Sequence, residues 1–337
     1  MMKLLRIPFL VAFAALAVLS CKKDEETEVK YMDGSIKLDF PTYVQPGYAK
    51  SFNLDTLKTV TRGDGGKVGY FFTAPVTGIK DTLLTEDGTV LLQEYEYEVA
   101  DSLGNFTLTL TAFGGDYVNT SGSKSFTVVK SGVDGNGSIT GFGIGAEDRT
   151  FTDQRDGKVY YTSVIGDTEW MRQNLAWEGA GKPFQDCDAM SDIFGRYYDW
   201  EEAQTACPDG WRLASDEDWG KVAEKYGDTS VPGSDYEGLA GDLLENLYFN
   251  GTRMWEYWRE VNVTNAAGLS VMPVGYASVE DGEYDFNYVY EYAAFWTSDE
   301  YGGNGVLRYI VAGYDTVYWG ALPKTDFGFS VRCVRDL

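Results

Sequence analysis

Residues 106–111 read Phe-Thr-Leu-Thr-Leu-Thr, apolar and polar in strict alternation. Successive side chains of a strand point to opposite faces, so this pattern suits a strand with one face buried and one in water. The alternating stretch lies within a strand-like run at 105–113, and similar runs stand at 35–40, 67–73, 91–99 and 124–130. Turn signals separate them: Gly63-Asp64-Gly65-Gly66, Glu86-Asp87-Gly88, Ser102-Leu103-Gly104-Asn105 and Gly114-Gly115. Short strands between such turns predict an all-β sandwich over residues 31–130.

The spacing is that of a sandwich of the immunoglobulin kind. Residues 101–129 resemble the end of a PKD-like or Ig-like repeat: a Gly turn, an alternating strand, a polar turn, then a closing Phe126-Thr127-Val128-Val129. The segment has no cysteine to bridge its sheets, and the expected role is a spacer. A Gly-rich linker is predicted over 131–150. Within it, Asp134-Gly135-Asn136-Gly137-Ser138 reads as a plain turn. A calcium loop of the EF-hand kind wants Gly at its sixth position and Glu at its twelfth, where this chain has Ile139 and Gly145.

Lys3 and Arg6 precede an apolar run over 7–19, broken only by Pro8. Spanning a bilayer takes about 20 residues, so the run fits a signal peptide better, over residues 1–20. Val18-Leu19-Ser20-Cys21 resembles a bacterial lipobox. That resemblance implies cleavage before Cys21 and lipidation of its thiol; the alternative is an ordinary secretory peptide with a chance cysteine. Residues 21–30 begin Cys-Lys-Lys-Asp-Glu-Glu-Thr-Glu and read as a flexible acidic tether. A lysine and acidic residues after the cysteine also resemble the export signal of Bacteroidota surface lipoproteins. A plain solvated spacer is the other reading. The expected location is the outer membrane, facing the cell surface, with the lipid anchor as the membrane contact.

With 28 Lys and Arg against 52 Asp and Glu, the net charge of −24 excludes a nucleic-acid partner. The chain has no histidine, which removes Ser-His-Asp and Cys-His nucleophile pairs and His-containing zinc sites. No catalytic residues are assigned, and the chain is expected not to be an enzyme.

From residue 151 the sequence becomes Trp-rich, with motifs in order. Trp170-Met171-Arg172-Gln173-Asn174-Leu175 is followed by Phe194-Gly195-Arg196-Tyr197-Tyr198-Asp199-Trp200 and Ala206-Cys207-Pro208-Asp209-Gly210-Trp211-Arg212-Leu213. Later come Phe295-Trp296-Thr297-Ser298 and Gly328-Phe329-Ser330-Val331-Arg332-Cys333-Val334. Taken together over 151–337, these resemble the Fibrobacter succinogenes major paralogous domain. Ala214 stands where that family has proline, and only a local loop effect is expected. The resemblance implies an α+β, C-type-lectin-like fold, so the whole chain is expected to be multidomain. The coarse pattern predicts helices at 198–205 and 215–226, and strands at 269–277, 293–298, 306–317 and 328–335. Ser215 followed by Asp218 is a partial helix-cap signal.

The resemblance also implies a Cys207–Cys333 disulfide, leaving Cys187 as a buried, inert thiol. Lectin-type calcium sites use Glu-Pro-Asn or Gln-Pro-Asp triplets; this chain has neither, and Trp296 is followed by Thr297. No cofactor is expected, with a structural calcium left open. The formylglycine-generating oxidases share this fold class and need a pair of copper-binding cysteines, which one C-terminal cysteine cannot supply. Aromatics are the stronger clue. Nine tyrosines lie between Tyr276 and Tyr318, next to Trp319. Tyrosine and tryptophan carry a large apolar face with a polar tip, suited to recognition. The candidate ligand-binding residues are Trp255, Trp258, Tyr284, Tyr288, Tyr290 and Trp319. The expected function is a binding or adhesion module for a glycan or glycosylated surface; a structural or protein-interaction lipoprotein is the alternative.

Overall fold

The computed structural model describes residues 29–130, 139–140, 149–249, 251–255 and 261–337. Cys21, the acidic run after it, Trp258 and nearly all of the 131–150 segment lie outside the described residues. The chain is β-rich, with its strands in several sheets. Among the described residues, no helix is long and apolar enough to cross a membrane.

Strands β1 (Tyr43–Val44), β2 (Ala49–Asn53), β3 (Gly69–Thr73), β4 (Lys80–Leu84), β5 (Glu94–Glu98), β6 (Gly104–Phe113) and β7 (Thr120–Val128) form two sheets. One has the order β1-β7-β6-β3-β4 and the other pairs β2 with β5. The alternation at 106–111 does what its period demands. Leu108 and Leu110 are fully buried, among Phe40, Phe52, Phe72 and Phe126. On the outer face Thr107, Thr109 and Thr111 stand opposite Ser125, Ser123 and Ser121, hydroxyl to hydroxyl at 3.1, 2.9 and 2.8 Å. Such cross-strand pairs fix register as well as adding stability.

Residues 35–40 are not a strand. Their alternation reports burial alone: Ile36 and Phe40 enter the core. The segment passes so close to β7 that a β-carbon on Gly122 would lie 2.4 Å from the Ile36 carbonyl oxygen.

Beyond residue 149, strands β8 (Arg149–Thr152), β9 (Val159–Ile165) and β10 (Thr168–Met171) form a meander. The longer helices that follow are α1 (Asp188–Phe194), α2 (Trp200–Ala206) and α3 (Asp216–Tyr226), with β11 (Arg212–Leu213) between the last two. Helix α1 was not legible in the sequence, and its flanking Cys187 makes no side-chain cap bond. Asp199 and Glu202 form a reciprocal capping box on α2. Ser215 and Asp218 do the same on α3, the shorter carboxylate serving where glutamate is usual.

The site is built on strands β12 (Tyr236–Glu237), β13 (Tyr276–Glu280), β14 (Glu283–Asn287), β15 (Tyr292–Tyr301), β16 (Asn304–Val311), β17 (Thr316–Leu322), β18 (Phe327–Gly328) and β19 (Cys333–Asp336). Their sheets have the orders β8-β9-β10-β19-β11, β12-β17-β16-β15 and β14-β13-β18. Three expected strands change. Residues 269–275 are largely buried coil, because an apolar run there meets the core without pairing along its length. The 306–317 run is split into β16 and β17 by a turn at Gly313, where φ is +89°. The 328–335 run is interrupted at 329–332, where Arg332 turns its side chain into the interior.

The two halves share a core patch. The Tyr43 ring lies among Phe184, Phe194 and Phe249, with centroids 5.7, 6.3 and 5.4 Å away. The Gln185 side-chain oxygen accepts from the N–H groups of Thr42 and Tyr43 at 2.7 and 3.3 Å. In return Gln45 accepts from the Ala189 N–H at 3.3 Å, in the first turn of α1. Gln185 and Asp186 are left-handed, with φ of +51° and +55°. Tyr288 and Tyr290 are too, at +59° and +72°. This conformation costs roughly 1–2 kcal/mol for a residue with a β-carbon.

Candidate functional site

The outer face of β15, β16 and β17 carries a tyrosine row. Period-two alternation puts Tyr292 and Ala294 on that face of β15, Leu307 and Tyr309 on β16, and Tyr318 and Gly320 on β17. The register makes Tyr309 the direct partner of Tyr318, and Leu307 that of Gly320. Ring centroids run Tyr288 to Tyr292 at 5.3 Å, Tyr292 to Tyr309 at 6.4 Å and Tyr309 to Tyr318 at 5.1 Å. Tyr276 on β13 stacks on Tyr288 at 5.7 Å.

Beside this row is an open groove of about 410 Å³. Its walls and floor include Tyr276, Tyr292, Tyr309, Leu307, Phe327 and Phe329. Gly320 packs closely on this face: a β-carbon there would sit 3.1 Å from Leu307. The floor is also firm. Phe329 packs on Trp296 at 4.5 Å, and the buried Trp296 indole donates to the Tyr198 carbonyl at 2.9 Å.

Among the described residues, no charged side chain lines the groove. Burial first, then the phenols of Tyr288 and Tyr292, raises the Tyr276 hydroxyl above its ordinary value. Burial and the nearby Asp235 carboxylate do the same for Tyr309. Both hydroxyls therefore stay protonated donors at neutral pH. Among the described residues, none hydrogen-bonds the hydroxyls of Tyr276, Tyr292 or Tyr309. The arrangement offers apolar contact and polar phenol tips. Among the described residues, no group of three Cys, Asp or Glu side chains could hold a metal.

Beneath the groove, two distant motifs meet. Arg332 is fully buried and donates to Asn174 Oδ1 at 2.9 Å and to the carbonyls of Met171, Leu269 and Arg172. Burial, reinforced by the nearby Arg172 charge, lowers its pKa to about 9. The Ala214 N–H donates to the Arg332 carbonyl at 3.0 Å, a bond that proline at 214 could not make. Cys207 and Cys333 are disulfide-bonded, as the resemblance implied. Cys187 is free and buried, and burial pushes its thiol up to about 11, so it stays protonated at neutral pH.

The sequence profile of the Fibrobacter succinogenes major domain matches residues 164–335, half of the chain. The chain belongs to this family. The Fibrobacter succinogenes major domain thus contains the groove, the disulfide and the Arg332 hub. No curated protein matches the chain. Among solved structures, a quinonprotein alcohol dehydrogenase-like protein from Bacteroides thetaiotaomicron is 16% identical. The alignment covers 39% of this chain and 35% of that one, with a TM-score of 0.17, and carries no argument.

Within the major domain the expected ligand residues scatter. Tyr288 is half exposed and closes one end of the tyrosine row. Tyr284 is partly buried against Phe286 and Gly328. Tyr290 turns towards Tyr43, hydroxyl to hydroxyl at 3.4 Å. Trp319 follows Tyr318, so it faces the other side of the sheet and meets Tyr301 at 5.4 Å. Trp255 is 1% exposed, and its indole donates to the Val271 carbonyl at 3.0 Å, so it is core and cannot meet a ligand. Trp258 lies outside the described residues. Tyr292, Tyr309 and Tyr318 were not singled out, although their spacing to Ala294, Leu307 and Gly320 placed each pair on one strand face.

Proposed function

We propose that this chain is a surface-anchored lipoprotein whose tyrosine groove binds a glycan or a glycosylated surface, as a binding or adhesion module. The carrying observation is the groove itself: phenol hydroxyls with no hydrogen-bond partner among the described residues, beside an apolar floor. In this reading residues 151–337 form a C-type-lectin-like domain and residues 31–130 an Ig- or PKD-like sandwich. Cys21 anchors the chain through lipid in the outer membrane, with the chain facing outward.

An uncharged lining in a chain of net charge −24 favours a neutral glycan, since nothing there would pair with an acidic sugar. Calcium has no part in this binding. Arraying neutral and acidic glycans against the chain, with and without calcium, tests it. Tyr309→Ala should weaken binding by about 1–3 kcal/mol. Gly320→Ala puts a β-carbon 3.1 Å from Leu307 and should narrow the groove and weaken binding, with the fold checked by circular dichroism. If no glycan binds the wild-type chain, this reading fails. The protein-interaction reading then takes over, favoured by Phe327, Phe329 and Leu307, which would also suit an apolar peptide side chain.

A further inference from the structure

The N-terminal sandwich looks, from sequence, like a spacer. The contacts around Tyr43 say otherwise. Two strained turns, at Gln185-Asp186 and at Tyr288 to Tyr290, converge on the end of strand β1. Strain of this kind persists only where surrounding structure enforces it. The exchange of hydrogen bonds is reciprocal: Gln185 serves the outward N–H groups at β1, and Gln45 serves the otherwise uncapped start of α1. The Tyr43 ring fills the space between Phe184, Phe194 and Phe249, which a detached major domain would expose.

The second turn links this joint to the groove. Tyr290 points to Tyr43, while Tyr288, two residues earlier, stacks on Tyr276 and meets Tyr292. On its own side the turn is held by Tyr290 N–H to the Pro273 carbonyl at 2.8 Å and Tyr292 N–H to the Tyr288 carbonyl at 3.0 Å. We propose that the N-terminal sandwich is a clamp for the tyrosine groove, with Tyr43 as the positioning residue that keeps Tyr288 stacked on the groove wall at Tyr276 and Tyr292. The clamp concerns the geometry of the groove, so it stands or falls separately from the nature of the ligand.

The test uses the full chain made soluble by Cys21→Ser, with 3-fluorotyrosine at position 288. In Tyr43→Ala the amides of Tyr290 and Tyr292 should exchange about tenfold faster. The fluorine resonance of Tyr288 should shift or split, while the amides of Leu108 and Leu110 stay protected. Tyr43→Phe, which keeps the ring among Phe184, Phe194 and Phe249 but loses the contact to the Tyr290 hydroxyl, should fall between wild type and Tyr43→Ala. An unchanged Tyr288 resonance and unchanged exchange at 290–292 in a folded Tyr43→Ala protein would overturn the proposal. Should that variant unfold, Gln185→Ala decides by the same two readouts, since it removes two hydrogen bonds and no core ring. Unchanged readouts there overturn the clamp equally.

Discussion

Replacing Cys207 and Cys333 together by alanine opens a loop of 126 residues in the unfolded chain. The chain-entropy relation then gives a loss of about 5 kcal/mol at 25 °C. Measured losses run from about 2 to 5 kcal/mol, because denatured chains keep some structure. For a unit of 150–250 residues, each kcal/mol moves the melting temperature by about 2–4 °C. The double variant should therefore melt roughly 4–20 °C below wild type by circular dichroism, and wild type in reductant should approach it. Cys333 is fully buried, so some added loss from a small void is expected. A drop under about 3 °C would refute the reasoning. So would a native thiol titration that finds Cys187 reactive, since its buried thiol should react only after unfolding.

Three further outcomes are expected. Burial would raise the Asp218 carboxyl, but bonds from Arg212 and Ser215 outweigh it and hold the group below its ordinary 3.8. A depressed folded value means the stabilisation is complete above 3.8 and is lost as pH falls through the folded value. Asp218→Asn should thus cost about 1–2 kcal/mol at neutral pH through the lost cap and ion pair. The gap from wild type should close in urea melts taken at successively lower pH below 3.8, and a constant gap would refute the assignment. Cys21→Ala should move the protein from the membrane fraction to the soluble one and remove acyl mass from its N-terminal peptide. Protease added to intact cells should digest the wild-type protein, whereas full protection would place it in the periplasm.

The legible parts of the fold were those written locally. The 106–111 alternation, the Ser215–Asp218 cap and the turn signals each depend on a few adjacent residues, and the structure places them where period and propensity predict. The 269–275 run misled because burial and strand pairing look alike in a short apolar stretch. The groove was half legible. Tyrosines were plainly abundant, but which of them share a face depends on the register of β15, β16 and β17, and register is set by partners far along the chain. Trp255 resembled a surface ring only until its neighbours were known. Gln185 bonding to Thr42, across 143 positions, left no sequence signal at all.

Strand β19 lies inside its sheet, hydrogen-bonded to β10 on one side and to β11 on the other. It is also the last of these strands to be made. A chain emerging N-terminus first can close its β6–β7 hairpin early, yet β10 and β11 must wait with open edges until Asp336 arrives. Arg332 and Cys333 arrive at the same moment, so the buried hub and the covalent bridge are completed together with the sheet. The five-stranded sheet of the major domain therefore cannot close before its last residues are made. A chain stopped short of residue 332 lacks the central strand, the buried hub and the disulfide together.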